Sequence, residues 1–336
     1  MKIRLLALLC AAAMLLSLIG CAQTASSPVV TSQTASSDTA SSESSTSTTE
    51  VNRYSEIIKV PEGKFTIYFL QLDYVTGDSD KSGDCSLLIS PEGKTMLIDA
   101  GNVSCYRQIL DYLADIGISK IDYLVVSHPH VDHIGSIVEV ARNHEIGMHY
   151  RTELEYVSNT YVDYSAYFKK NSIPTTFLHE GDAFNFGESI HVKILNPPKQ
   201  INYPASYPEN STQFVNNTSL AMRFDYGKSS YLTCGDLYLG SEKELVEKYP
   251  QDVDVDIVKA NHHGRDTSNS LKWVKAVSPQ YVVAMSDDIS SMTVYERYKN
   301  KGTSYYNTSY DGIVRISMDD SGNYEVLTQH DSWLRD

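Results

Sequence analysis

The strongest constraint on this chain is a run of six residues, His128-Pro129-His130-Val131-Asp132-His133, which reads H-x-H-x-D-H. It follows an apolar stretch, 121–126, with the length and β-branched content of a buried strand. It precedes Ile134-Gly135 and a helical pattern. The fold must therefore end a strand on a turn carrying three imidazoles and a carboxylate. Those groups are the usual ligands of zinc and similar divalent ions. His128 and His130, two residues apart, can point to one side of an extended backbone. Asp132 and His133 follow the turn and can face a second ion. Two ions about 3.5–4 Å apart can hold one water between them and clamp a hydrolytic transition state.

The N-terminus predicts an extracytoplasmic location. Lys2 and Arg4 precede an apolar run, 5–19, then Gly20-Cys21, the pattern of a secretory signal. The run is shorter than the roughly 20 residues of a membrane span. Leu18-Ile19-Gly20-Cys21 resembles the bacterial lipobox, which implies cleavage before Cys21 and a diacylglycerol on its sulfur, anchoring the chain to the bacterial membrane. An ordinary signal or an uncleaved anchor is the alternative. Residues 22–50 are almost entirely Ser, Thr, Ala and Gln, too polar to offset the entropy of ordering, and read as a disordered tether. The expected organisation is a lipoprotein signal peptide over 1–20, a Ser/Thr-rich tether over 21–50 and one folded domain over 51–336. Formal charge is −14, about −16 once Lys2 and Arg4 are removed. That disfavours a nonspecific nucleic-acid partner, without excluding a local basic groove. Cys85, Cys105 and Cys234 remain outside the signal, with no C-x-x-C, and read as free small buried residues rather than a disulfide framework.

Along the folded part, strands are predicted over 64–73, 86–89, 95–99 and 121–127, with helices over 104–116 and 134–143. A tyrosine-dense stretch follows, with Tyr150, Tyr156, Tyr161, Tyr164 and Tyr167, then Tyr203 and Tyr207 in a Pro/Asn loop. These tyrosines suit either sheet-edge packing or a pocket rim, and the loop is long enough for a lid. The second half predicts a hairpin, 219–226 and 230–234, around Gly227-Lys228, and a strand over 255–259 ending at His262-His263-Gly264. Helices over 241–248, 271–277 and 292–299 alternate with strands over 281–285, 312–318 and 324–328. Strands and helices alternate in both halves, consistent with two sheets and helices outside.

Several segments together resemble the metallo-β-lactamase superfamily. They are Leu97-Ile98-Asp99-Ala100-Gly101, 127–135, Leu232-Thr233-Cys234-Gly235-Asp236 and 257–264. Asn216-Asn217-Thr218-Ser219-Leu220, Gly83-Asp84 and Asp311-Gly312-Ile313 narrow the likeness to the hydrolase domain of ComEC-type competence proteins and to phosphorylcholine esterases. The resemblance covers about 65–327. It implies an α/β (α+β) fold, an αββα four-layer sandwich with two mixed sheets, and two divalent ions, zinc in first place with manganese or iron as alternatives. It implies that His128 and His130 hold the first ion, that Asp132 and His133 hold the second, and that Asp236 bridges. It further implies that His262 is the last ligand and that His263 is a donor near substrate, although the order of the two histidines is open to exchange. Asp99 and Asn217 are expected behind the ligands, Asp99 orienting a histidine through its free ring nitrogen. Many superfamily members place a third histidine on the first ion; here the matching segment has Asn216, Asn217 and Ser219, leaving His179 or His191 to reach in from elsewhere. His144, His149, His179, His191 and His330 otherwise read as surface or edge residues.

The implied function is a surface-anchored metal-dependent hydrolase, foremost a phosphodiesterase or phosphoesterase using a metal-bridging hydroxide, with Asp132 and His263 in the reaction. An envelope or small-molecule phosphoester is the expected substrate. DNA processing in competence is the family's alternative, disfavoured by the acidic charge and by the lack of a channel part. Two other readings remain: a lactone, lactam or thioester hydrolase on the same site, or a catalytically inactive binding lipoprotein.

Overall fold

A computed structural model describes residues 53–73, 81–201 and 210–335, which fall in one compact unit. The signal peptide, Cys21, the Ser/Thr tether, Tyr203 and Tyr207 lie outside the described residues.

Apolar residues alternate along the first strand, β1 (Phe65–Phe69), so that Phe65, Ile67 and Phe69 face one side and Tyr68 the other, and both sides are buried. A strand buried on both faces needs a layer against each. The chain supplies them as helix, sheet, sheet, helix. The first sheet runs β15 (Tyr324–Thr328), β14 (Val314–Met318), β1, β2 (Ser86–Ile89), β3 (Thr95–Ile98), β4 (Lys120–Val125), β5 (Glu145–Arg151), β6 (Thr175–Phe177). The second runs β13 (Ser304–Asn307), β12 (Tyr281–Ala284), β11 (Ile257–Lys259), β10 (Ser229–Thr233), β9 (Ala221–Tyr226), β8 (Ile190–Asn196), β7 (Ala183–Phe186). Both are mixed: β3 to β6 and β10 to β13 pair in parallel, and the other pairs are antiparallel. This is the αββα architecture expected.

Phe65, Ile67, Met96 and Val125 from the first sheet meet Phe186, Phe224, Tyr231 and Val283 from the second, forming the central core. Outside the first sheet, Ile109 and Leu113 of the helix Tyr106–Ile116 and Tyr161, Tyr164 and Phe168 of the helix Asn159–Lys170 cover Tyr68, Leu87 and Leu97. Trp273, Val274 and Tyr298 do the same for Leu232 and Val258 of the second. Among the described residues no helix is long and apolar enough to cross a membrane.

Three expectations change. The helix expected over 134–143 is two pieces, Val131–Ile134 and Ile137–Asn143. The break falls where Gly135 presses against the 102–103 backbone; a Cβ there would lie 2.2 Å from the Val103 nitrogen. The tyrosine-rich stretch contains a strand and a helix, in which Tyr161 and Tyr164 are core. His149 is not a surface or edge residue: it is buried, bonded to the Tyr164 hydroxyl at 2.8 Å and the Thr175 hydroxyl at 3.2 Å. Cys85, Cys105 and Cys234 are free and buried.

Candidate metal centre

The site lies where strands of both sheets end. β4 delivers Ser127 and His128, and the short helix Val131–Ile134 carries Asp132 and His133. β10 delivers Asp236, and β11 leads into His262 and His263. Leu220 N donates to Ser127 O (2.9 Å), joining the two halves beside the site.

Hydrogen bonds settle which imidazole nitrogens face the centre. His133 Nδ1 lies 2.8 Å from Asp99 Oδ2, so it carries the proton and leaves Nε2 with a lone pair. Asp99 also accepts from Ser127 N (2.7 Å) and Ser127 Oγ (2.6 Å). Since the Ser127 hydroxyl donates to Asp99, it accepts from His128 Nδ1 at 3.1 Å, and His128 too points Nε2 inward. His263 Nδ1 lies 3.0 Å from both Asp84 Oδ1 and the Met285 carbonyl, two acceptors, which again frees Nε2. His128 Nε2 and His130 Nδ1 face each other at 3.0 Å.

Asp236 Oδ2 is the hub. It lies 3.3 Å from His263 Nε2, 3.4 Å from His133 Nε2, 3.8 Å from His262 Nε2 and 3.9 Å from His128 Nε2. Asp132 Oδ2 lies 3.3 Å from His263 Nε2. Asp132, His133, Asp236 and His263 thus form one four-residue set of metal-ligand type, and Asp84, Asp99 and His133 a second set behind it. His133 Nε2 and His263 Nε2 are fully buried and make no aligned hydrogen bond. Buried nitrogens left unsatisfied are costly, and lone pairs converging on carboxylates suit a divalent cation. The donor set therefore fits the expected metal.

The two adjacent histidines, whose order the resemblance left open, are placed differently. His263, not His262, stands in the four-residue set. His262 keeps its Nε2 3.8 Å from Asp236 Oδ2 while its ring stacks on Tyr238 (centroids 4.9 Å apart) and its Nδ1 bonds Thr267 Oγ1 at 2.6 Å. Both residues have left-handed backbones, φ 48° and 54°, which is what aims successive side chains so differently. L-residues there cost about 1–2 kcal/mol each, a strain typical of functional sites.

The segment 216–219 also differs in detail. Asn216 is buried beside His130, and its carboxamide makes no aligned hydrogen bond among the described residues. Asn217 Oδ1 accepts from Tyr238 N (3.2 Å), bracing the ring that stacks on His262. Ser219 Oγ accepts from Asp236 N (3.2 Å). Neither His179 nor His191 joins the centre: His179 lies 3.5 Å from Glu153, and His191 bonds Asn185 at 3.3 Å. Tyr156 packs edge-on against His130 at 5.6 Å.

Two residues not singled out as site residues are central. Asp84 is held in place by a close approach: Gly83 has φ 83°, and a Cβ there would fall 1.8 Å from Asp132 O. Asp84 N then donates to that same carbonyl (3.0 Å). Lys259, buried at the end of β11, contacts Asp84 Oδ2, lies 3.7 Å from Asp236 Oδ1 and donates to Gly235 O at 3.2 Å. A lysine closing an otherwise apolar strand just before His262-His263 was the available signal, since buried lysines are rare unless paired.

The electrostatics divide the histidines. Burial, then neighbouring His133, keep His128 neutral, and burial likewise lowers His130. Burial holds His262 at about 3. Around His133, burial is outweighed by Asp236, Asp99 and Asp132, which favour a positive charge at the imidazole, one that a cation on Nε2 would supply. His263 is raised in the same way by Asp236 and Asp84. The carboxylates thus call for positive charge at this centre.

Residues 80–204 match the metallo-β-lactamase superfamily model. The matched stretch, 80–204 of 336 residues, contains the strand end and turn that carry His128, His130, Asp132 and His133. Among its relatives, the competence protein ComA of Neisseria gonorrhoeae is 24% identical over 72% of this chain and 32% of its own length. A UPF0173 metal-dependent hydrolase of Carboxydothermus hydrogenoformans is 26% identical over 60% of this chain and 81% of its own. The chain thus spans about a third of the competence relative. In fold it is similar to a mutant of the β-hydroxylase CmlA of Streptomyces venezuelae, with a TM-score of 0.50 and 13% identity over 77% of this chain and 55% of that one.

Proposed function

We propose that this protein is a dinuclear metal-dependent hydrolase of phosphoesters, foremost phosphodiesters. The observation that carries the reading is Asp236 Oδ2 standing within 3.9 Å of four imidazole nitrogens drawn from both halves of the chain. His128, His130 and Asp236 would hold one ion; Asp132, His133, His263 and Asp236 the other. When bound, such ions supply Lewis acidity toward a phosphoryl oxygen and lower the pKa of water.

The chain's own residues do the rest. Asp132 is the most accessible of the site carboxylates, and its charge would help orient the water that attacks phosphorus. His262, neutral and braced by Tyr238 and Thr267, takes the donor role that the resemblance gave His263, offering a ring N–H as a hydrogen-bond donor to the leaving oxygen. An anionic substrate is favoured by Lys81 and Arg265, two half-buried cations at the site, one three residues before Asp84 and the other two after His263. Lys81 feels the charges of Asp132, Arg265, Asp236 and Asp84. In a chain of net charge −14, cations gathered at the site serve an anion. An envelope phosphoester suits the lipid anchor expected at Cys21; the competence relative makes nucleic acid the competing substrate.

The test is elemental analysis of the purified full chain together with turnover of bis-p-nitrophenyl phosphate, with Asp132→Ala as control. Two equivalents of metal and turnover lost in the variant are expected. Metal without phosphodiester turnover, but with turnover of a lactone or nitrocefin, would replace the phosphoester reading.

A further inference from the structure

Lys259 has no role in the chemistry above, yet it is buried against the centre. Its ammonium contacts Asp84 Oδ2, and Asp84 Oδ1 accepts from His263 Nδ1 at 3.0 Å. His263 Nε2 stands 3.3 Å from Asp236 Oδ2, and Asp236 Oδ1 returns to within 3.7 Å of Lys259. The four residues close a ring. Among the described residues Lys259 is the only lysine or arginine in contact with Asp84, Asp132 or Asp236. It also donates to Gly235 O, the residue before Asp236.

We propose that Lys259 is a positioning residue for the metal centre, acting through two carboxylates at once. On the Asp84 side it holds that carboxylate aimed at His263 Nδ1, which selects the tautomer whose Nε2 lone pair faces the centre. On the Asp236 side it holds Oδ1 and leaves Oδ2 to face the histidines. A lone buried carboxylate next to Asp236 and Asp132 would repel both. An ammonium between Asp84 and Asp236 lets them stand close without consuming a ligand atom. The inference rests on the metal-centre reading.

The experiment is zinc titration of the full chain in detergent against a competing chromophoric chelator, with melting curves of the metal-free proteins. Wild type is compared with Lys259→Met, Asp84→Asn and the double variant Asp84→Asn/Lys259→Met. Lys259→Met is expected to weaken zinc binding about 10- to 100-fold and to lower the melting temperature, since it strands Asp84. The double variant removes the stranded charge, so its melting temperature should recover while zinc affinity stays low. Asp84→Asn alone keeps an acceptor for His263 Nδ1 and should lose less affinity than the double variant. Wild-type affinity in Lys259→Met, or a double variant regaining both melting temperature and affinity, would reduce Lys259 to a packing ion pair and overturn the proposal. A wild-type chain that binds no zinc, manganese or iron overturns the metal-centre reading itself, a result visible before any variant is compared.

Discussion

His263 Nδ1 lies 3.0 Å from Asp84 Oδ1 across 179 residues of sequence, and this bond decides which of two adjacent histidines serves the centre. With Nδ1 held by two acceptors, His263 has a free Nε2 among carboxylates, whereas His262 is turned to Tyr238 and Thr267. His263→Ala should therefore lower bound metal, and His262→Ala should keep the metal but reduce kcat by about 10²- to 10³-fold, as for loss of one hydrogen-bond donor to developing charge. Elemental analysis beside steady-state kinetics separates the two. Equal metal loss in both variants would contradict the assignment.

Asp99 orients two histidines, His133 directly and His128 through Ser127. Asp99→Asn should weaken metal binding about 10- to 100-fold without unfolding the chain. Chelator competition reads the affinity, and circular dichroism checks the fold.

Gly83 and Gly93 both have positive φ, 83° and 82°, but differ in surroundings. A Cβ at Gly93 meets nothing within 4 Å, so Gly93→Ala should cost about 1–2 kcal/mol from backbone alone. Gly83→Ala adds a collision with Asp132 O and should cost about 2–5 kcal/mol, with loss of activity. Urea melts of the two variants provide the comparison, and similar costs would refute the close-approach argument.

His149 gives a pH prediction away from the centre. Burial, aided by Arg151, holds it at about 3 in the folded protein, below the ordinary histidine value of about 6.5. The unfolded chain therefore binds a proton that the folded one refuses, and stability falls as pH drops from about 6.5 toward 3, by up to about 1.4 kcal/mol per unit. His149→Gln should lose less stability than wild type over that window in parallel melts. A parallel pH dependence in both proteins would show that His149 is not the group responsible.

Lys81→Ala and Arg265→Ala should raise KM for bis-p-nitrophenyl phosphate and leave kcat within a few-fold, because anion binding of this kind is shared by ground and transition states. Raising ionic strength should shrink the difference from wild type. A fall in kcat with unchanged KM would place these residues in the reaction instead.

Local pattern was enough to mark the strand that leads into the H-x-H-x-D-H turn and the turn itself, because each rests on residues adjacent in the chain, whereas Asp236 and the paired histidines after β11 came from the family resemblance. Strand and helix alternation likewise carried the layered architecture. The stretch from β5 to β8 was not legible: its tyrosines serve as core on one helix face and as site contacts elsewhere, and periodicity cannot separate those uses. Nor could spacing order His262 and His263, bring Asn216 to His130, or join Lys259 to Asp84. Those choices depend on backbone torsions and on which atoms meet across the two sheets. A ligand type is written in one residue, while its orientation comes from partners that only the folded chain brings within 3 Å.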